Sequence, residues 1–362
     1  METIAIVDTS ICTDNLGDEI IMDAVNEVVW GLFPSAYIRR APSHEVLSKR
    51  TYKFIREADW CFVGGTNLLS SDIRRNGLWQ LGKLDAKIYQ STRTVCLGVG
   101  WNSYMVAPTP ATRQILRDAL SPSLIHSARD SYTSTHLDHV GLQSIATACP
   151  TMWALTPEHC ANIPRERSSA VVFTLTAWQP NPQADRNFVN ALRRHYAKVY
   201  FFPQMQDDWA YFRGFGWEDI KVVSPTVESY TRFLDNENVD VVGTRLHGGI
   251  RALQRGRRAL ILAIDNRATE IHKDTGLPTI QRTDIKKIEE WIEAQAATVI
   301  NLPQDAIQAW KAQFQPESRD LTPRQQRAPD SFLERTIRAL LSIRRGARYF
   351  DSTVRDGLGM RY

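Results

Sequence analysis

The chain of 362 residues is 43% hydrophobic and 23% charged, with a formal net charge of +4, an ordinary globular balance with enough length for two hydrophobic cores. No run approaches the roughly 18 apolar residues that span a bilayer, and Met1 to Ser10 carries Glu2 and Asp8 where a signal peptide has a cationic and then an apolar stretch. A cytosolic protein is therefore expected. Five cysteines (Cys12, Cys61, Cys96, Cys149, Cys160) form no Cys-x-x-Cys pair, so neither a disulfide framework nor a metal site is expected. The mild positive charge comes without an aromatic-interleaved basic stripe, which speaks for an anionic small molecule or a lipid surface and against nucleic acid.

Short β-branched runs alternate with helix-period segments along the chain, the pattern of parallel sheets built from βαβ units. In the first half the predicted strands are Ile4 to Asp8, Ala36 to Arg39, Trp60 to Val63, Val95 to Val99, Leu124 to His126 and Ser144 to Ala148. Helices are predicted between them at Glu19 to Val29, His44 to Glu57, Ala111 to Leu120 and Ser131 to His139. The stretch from Thr156 to Arg167 is rich in proline and charge and reads as an interdomain linker. A second series then places strands at Ala170 to Thr174, Val199 to Phe202, Lys221 to Ser224, Val239 to Val242 and Ala259 to Ile264. Its helices are Asp185 to Tyr196, Val227 to Asn236 and Gly248 to Arg255. The expectation is an α/β protein of two doubly wound, Rossmann-like domains facing a cleft in a GT-B-like arrangement, with ligands beyond the carboxyl ends of the strands. Their expected spans are residues 1–155 and 168–300, the first on the acceptor side, followed by C-terminal helices and a basic tail over 301–362.

Four strand-to-helix loops carry polar residues. In Thr13-Asp14-Asn15-Leu16-Gly17-Asp18-Glu19, Asn15 or Asp18 can cap the following helix, or the carboxylates of Asp18 and Glu19 can orient and deprotonate a sugar hydroxyl. In Gly64-Gly65-Thr66-Asn67, adjacent glycines let the backbone approach a ligand, and any tight turn needs them equally. Arg129, in Ser127-Ala128-Arg129-Asp130-Ser131, either pairs locally with Asp130 or grips a carboxylate or phosphate with its planar fork. The fourth loop is Gly243-Thr244-Arg245-Leu246-His247-Gly248-Gly249. Arg245 and His247 lie two apart, on the same side if the chain stays extended, and Gly248-Gly249 opens the next helix with bare N–H groups. Cation, imidazole and helix N-terminus together suit a small, highly charged anion.

The Asn-x-Gly-Asp-Glu loop (Asn15, Gly17, Asp18, Glu19), the double glycine after a strand, the Ala128 to Ser131 run and the Arg-Leu-His triplet ahead of Gly248 resemble, in order and separation, the polysaccharide pyruvyltransferase family. The resemblance covers roughly residues 10–275. It implies phosphoenolpyruvate as co-substrate, with no cofactor, held by Arg129, Arg245 and His247. It also implies a basic position after Asn266, occupied by Arg267, and an acceptor side formed by Asn15, Gly17, Asp18, Gly65 and Asn67. Many relatives carry an acidic residue before the interdomain crossing, where this chain has Ala148-Cys149-Pro150-Thr151. On this reading Arg129 and Arg245 grip the donor from opposite domains, His247, with a pKa near neutrality, protonates its methylene carbon, and Asp18 or Glu19 receives a hydroxyl proton. The acceptor is a polysaccharide or lipid-linked oligosaccharide, which gains a cyclic pyruvate ketal.

Two other classes stay open on the residues alone. One is a nucleotide-sugar glycosyltransferase, with Arg245 on the diphosphate and Glu270 on a ribose hydroxyl; the other is a non-catalytic glycan-binding relative. Near the C-terminus Pro303 to Phe314 is predicted as a helix that crosses back onto the first domain. Beyond it, Ser331 to Arg345 sets Phe332, Leu333, Ile337, Leu340 and Leu341 on one face with arginines largely off it. That helix suits packing on the enzyme body, a second subunit, or peripheral contact with the inner face of an anionic membrane.

Overall fold

The computed structural model describes residues 1–315, so the Ser331 to Arg345 helix and the basic tail lie outside the described residues. Two parallel sheets organise the molecule. The first half supplies β1 (Thr3–Asp8), β2 (Tyr37–Pro42), β3 (Trp60–Gly64) and β4 (Arg93–Leu97), in the order β2-β1-β3-β4. The pair β5 (His126–Ala128) and β6 (Ser144–Ala146) continues this sheet beyond β4, joined by a bridge between Val99 and Ala128. The second half supplies β7 (Ala170–Thr174), β8 (Lys198–Phe201), β9 (Lys221–Val222), β10 (Val239–Gly243), β11 (Ala259–Ala263) and β12 (Thr279–Gln281), in the order β12-β11-β10-β7-β8-β9. That order reverses direction between β7 and β10, the topological switch point outside which α/β sheets place ligands.

The central strands β1, β3, β7, β10 and β11 are near-continuous buried apolar runs because helices cover both faces of each sheet. Alternate side chains of one strand enter opposite cores: Ile4 and Ile6 point to one cluster, Ala5 and Val7 to the other. Phe62 and Trp60 join the first cluster, Cys61 and Val63 the second. In the second sheet Val171 and Phe173 divide in the same way from Ala170 and Val172.

Most predicted elements appear within a few residues of their expected bounds, and the differences have local causes. The helix expected from His44 begins only at Lys49, because Ser48 takes the cap and its hydroxyl accepts from Thr51 N at 3.1 Å. His44 is thereby left in the loop after β2. Thr156, in the expected linker, caps a short helix Pro157–Ala161. The helix Gln304–Ala312 does cross back: Trp310 and Phe314 are fully buried against Trp60 and Phe62, with the Phe314 ring 5.3 Å from each of those two rings. Each such aromatic pair adds about 0.5–1.5 kcal/mol beyond area burial, so this helix fastens the end of the described chain to the first domain.

Candidate active site

The loop after β1 resolves its two readings by dividing them between neighbours. Asn15 is the cap of helix Leu16–Leu32, its Oδ1 accepting from Gly17 N at 3.0 Å. The same oxygen accepts from Gln204 Nε2 at 3.0 Å, and Leu16 N donates to Gln204 O at 3.0 Å. Asn15 therefore ties the two halves of the molecule together. A Cβ at Gly17 would come 2.7 Å from the Gln204 amide nitrogen, so a larger residue there would push on this link. Asp18, relieved of capping, is 4% exposed and accepts from Thr13 Oγ1 at 2.8 Å. Burial pushes its carboxyl above the ordinary carboxylate range, against the weaker downward pull of Thr13, His44, Thr66 and Arg267. Glu19 lies about 100° further round the helix and is exposed; its carboxyl is raised by partial burial and by Asp23 and Asp18. Of the two candidate bases, only Asp18 faces the buried cluster.

Gly65 and Thr66 both adopt the left-handed conformation, at φ 56 and 48. For Gly65 the requirement is also steric, since a Cβ would overlap the Ile21 side chain. A β-branched residue held left-handed is strained by about 1–3 kcal/mol, and such strain concentrates at functional sites. Here it turns the Thr66 hydroxyl toward Asp18 and sets Thr66 O to accept from Gly100 N at 2.7 Å. Asn67 follows and accepts a hydrogen bond from Arg129 Nη1.

Arg129 emerges from β5 and is 2% exposed. Its Nε donates to Asp130 Oδ2 at 2.9 Å, so the local pairing exists. Nη2 lies 2.8 Å from that same oxygen yet has no aligned acceptor. Room for the guanidinium comes from Gly100, where a Cβ would overlap it. A buried guanidinium with an unsatisfied nitrogen is a costly arrangement unless a ligand completes it.

The Arg-Leu-His triplet does not stay extended. Arg245 caps helix Leu246–Gln254, so His247 already sits in the first helical turn and the two side chains diverge. The Arg245 fork meets Asp208, Nε to Oδ2 at 2.8 Å and Nη2 to Oδ1 at 2.5 Å, with Asp208 fully buried. His247 instead meets Cys149, whose Sγ is 3.7 Å from Nε2. Burial, then the charges of Arg267 and Arg129, push its imidazole down to about 3, so the ring is neutral at pH 7 and not poised near neutrality. Gly249 serves packing, because a Cβ there would overlap the Ile261 side chain on β11; at Gly248 a Cβ would stand 3.1 Å from Gln204 Oε1. Arg267 sits just inside helix Asn266–Thr275, paired with Asp265 at 2.9 and 2.6 Å and 5.7 Å from the Trp178 ring. Burial alone would raise the Asp265 carboxyl, but Arg267 and its hydrogen bonds hold it below the usual range.

One cluster results: Asp18, Thr66, Asn67 and Arg129 from the first half, His247 and the Arg267–Asp265 pair from the second. Sequence reasoning passed over His44, Asp208, Gln204 and Asp265. No spacing rule marks the first three; Asp265 stood two residues before a named arginine.

The fold resembles solved UDP-N-acetylglucosamine 2-epimerases. One aligns with a TM-score of 0.51 at 10% identity, covering 89% of this chain and 98% of that one. The enzyme of Methanocaldococcus jannaschii, solved with UDP-GlcNAc and UDP, gives 0.50 at 10% identity over 84% and 97%. At such identity the likeness defines the class of fold alone: two Rossmann-like domains in the GT-B arrangement. Among curated proteins none matches the chain. The sequence profile described as polysaccharide pyruvyl transferase matches residues 15–266, and the chain belongs to that family.

Proposed function

We propose that this transferase moves the enolpyruvyl group of phosphoenolpyruvate onto two hydroxyls of one sugar, forming a cyclic ketal and releasing phosphate. The observation that carries the reading is the buried Arg129 guanidinium, with Nη2 unsatisfied, close to the neutral His247 and to Arg267. Two cations and a ring that can gain a proton suit a donor bearing both a carboxylate and a phosphate. In this scheme His247 protonates the methylene carbon, making the second carbon electrophilic. A sugar hydroxyl attacks that carbon as Asp18 takes its proton. Phosphate leaves, and the second hydroxyl closes the ring. Of the two hydroxyl protons, one restores His247 through solvent and the other departs with phosphate. Arg245, committed to Asp208, acts by fixing the start of the His247 helix.

A nucleotide-sugar glycosyltransferase would need Arg245 and Glu270 free for its ligand. Arg245 is paired, and Glu270 accepts from Tyr104 Oη at 2.7 Å. Thermal shift separates the readings: phosphoenolpyruvate stabilises the protein, whereas uridine and guanosine diphosphates do not. A screen of sugar acceptors read by mass spectrometry then looks for a gain of one pyruvyl unit with equimolar phosphate. Stabilisation by the nucleotides alone would overturn the proposal.

A further inference from the structure

Cys149 stands where the chain crosses between the two domains, fully buried, and no step described above uses it. Its surroundings fix it closely. Ala148 before it is left-handed at φ 62, and Pro150 after it packs so tightly on Gly98 that a Cβ on that glycine would overlap the proline ring. Thr151 Oγ1 donates to Cys149 Sγ at 3.1 Å, and the same sulfur is 3.7 Å from His247 Nε2. Among the described residues, His247 Nδ1 has no hydrogen-bond partner.

We propose that Cys149 is a positioning residue that sets the tautomer of His247: the thiol hydrogen goes to Nε2, so the ring carries its own proton on Nδ1 and offers it to the bound anion. The inferred direction runs along one chain of hydrogens. Thr151 Oγ1 gives its hydrogen to sulfur and the thiol gives its own to Nε2, which uses each hydrogen once and leaves no thiol hydrogen without an acceptor. A thiol beside an imidazole could instead form a thiolate–imidazolium nucleophile. Burial opposes that, raising the thiol and lowering the imidazole, so both partners stay neutral. The imidazole of a neutral histidine is a donor at one nitrogen and an acceptor at the other, and the bond at one fixes the role of the other. The role assigned to Nδ1 rests on the proposed donor chemistry; the tautomer itself does not.

The test is long-range 1H–15N correlation of full-length protein labelled in its histidine rings, at pH 7 without ligand, with His247→Gln to assign the signals. The wild type shows His247 protonated at Nδ1 and bare at Nε2. Cys149→Ser keeps that pattern, since a hydroxyl donates as well, and Cys149→Ala shifts the ring toward the Nε2-protonated form. A wild-type ring protonated at Nε2 overturns the proposal, and this outcome needs no variant to fold. An unchanged tautomer in a folded Cys149→Ala protein overturns it as well. Titrating phosphoenolpyruvate into the wild type tests the other reading separately: no change at the His247 signals would refute donor binding there and leave the tautomer result standing.

Discussion

Protonation of His247 by ligand binding is the sharpest consequence of the site. Its imidazole is held at about 3 in the free protein, so making the imidazolium at pH 7 costs about 5 kcal/mol at 1.36 kcal/mol per unit. One negative charge about 4 Å away returns roughly 4 kcal/mol at the effective dielectric of a protein site. A monoanion therefore falls short, and a ligand bringing two or more charges offsets the cost. Phosphoenolpyruvate should take up close to one proton on binding at pH 7, and pyruvate, with a carboxylate alone, should take up almost none. Calorimetric titration in buffers of different ionisation enthalpy reads the number directly. His247→Gln is the control, because it cancels any change in the phosphate's own protonation. The sign is fixed: a group whose pKa rises on binding makes affinity fall as pH increases, by up to tenfold per unit until the bound-state pKa is passed. Equal proton uptake by wild type and His247→Gln would refute the reasoning, leaving His247 a neutral hydrogen-bond donor with the proton coming from elsewhere.

Other predictions follow from the same geometry. Arg129→Ala should weaken phosphoenolpyruvate binding by about 10- to 100-fold, the scale of a lost charged hydrogen bond. Gly100→Ala should do likewise, since its Cβ overlaps the guanidinium; calorimetry showing normal affinity in both would displace the site. Asp208→Ala strands a buried Arg245 and should destabilise the fold by about 3–5 kcal/mol, measured by denaturant unfolding. Asp18→Asn should leave donor affinity intact and reduce turnover by about 100-fold or more, with residual activity still measurable. Because burial raises the Asp18 carboxyl and a base must be ionised, wild-type turnover should be lost, as pH falls, at a midpoint above that of an ordinary carboxylate; a limb persisting in Asp18→Asn would assign it to another group.

The sequence by itself determined the α/β class, nearly all the long strands and the positions of the four polar loops. Those features rest on hydrophobic period and on capping or turn residues, which act over a few positions along the chain. It also placed Trp310 and Phe314 on a helix returning to the first domain. What each polar side chain holds was a different matter. Arg245 and His247 looked like one pair by their spacing, but the helix cap at Arg245 turned them apart, one to Asp208 and the other to Cys149. Asn15 was legible as a cap, not as a partner of Gln204, which lies 189 residues away. The pKa of His247 was likewise beyond reach, because burial and the charges of Arg267 and Arg129 set it together. Periodicity tells a residue which face it occupies. Which buried charge or imidazole meets which partner depends on the packing of segments far apart in the chain, and only the tertiary structure decides that.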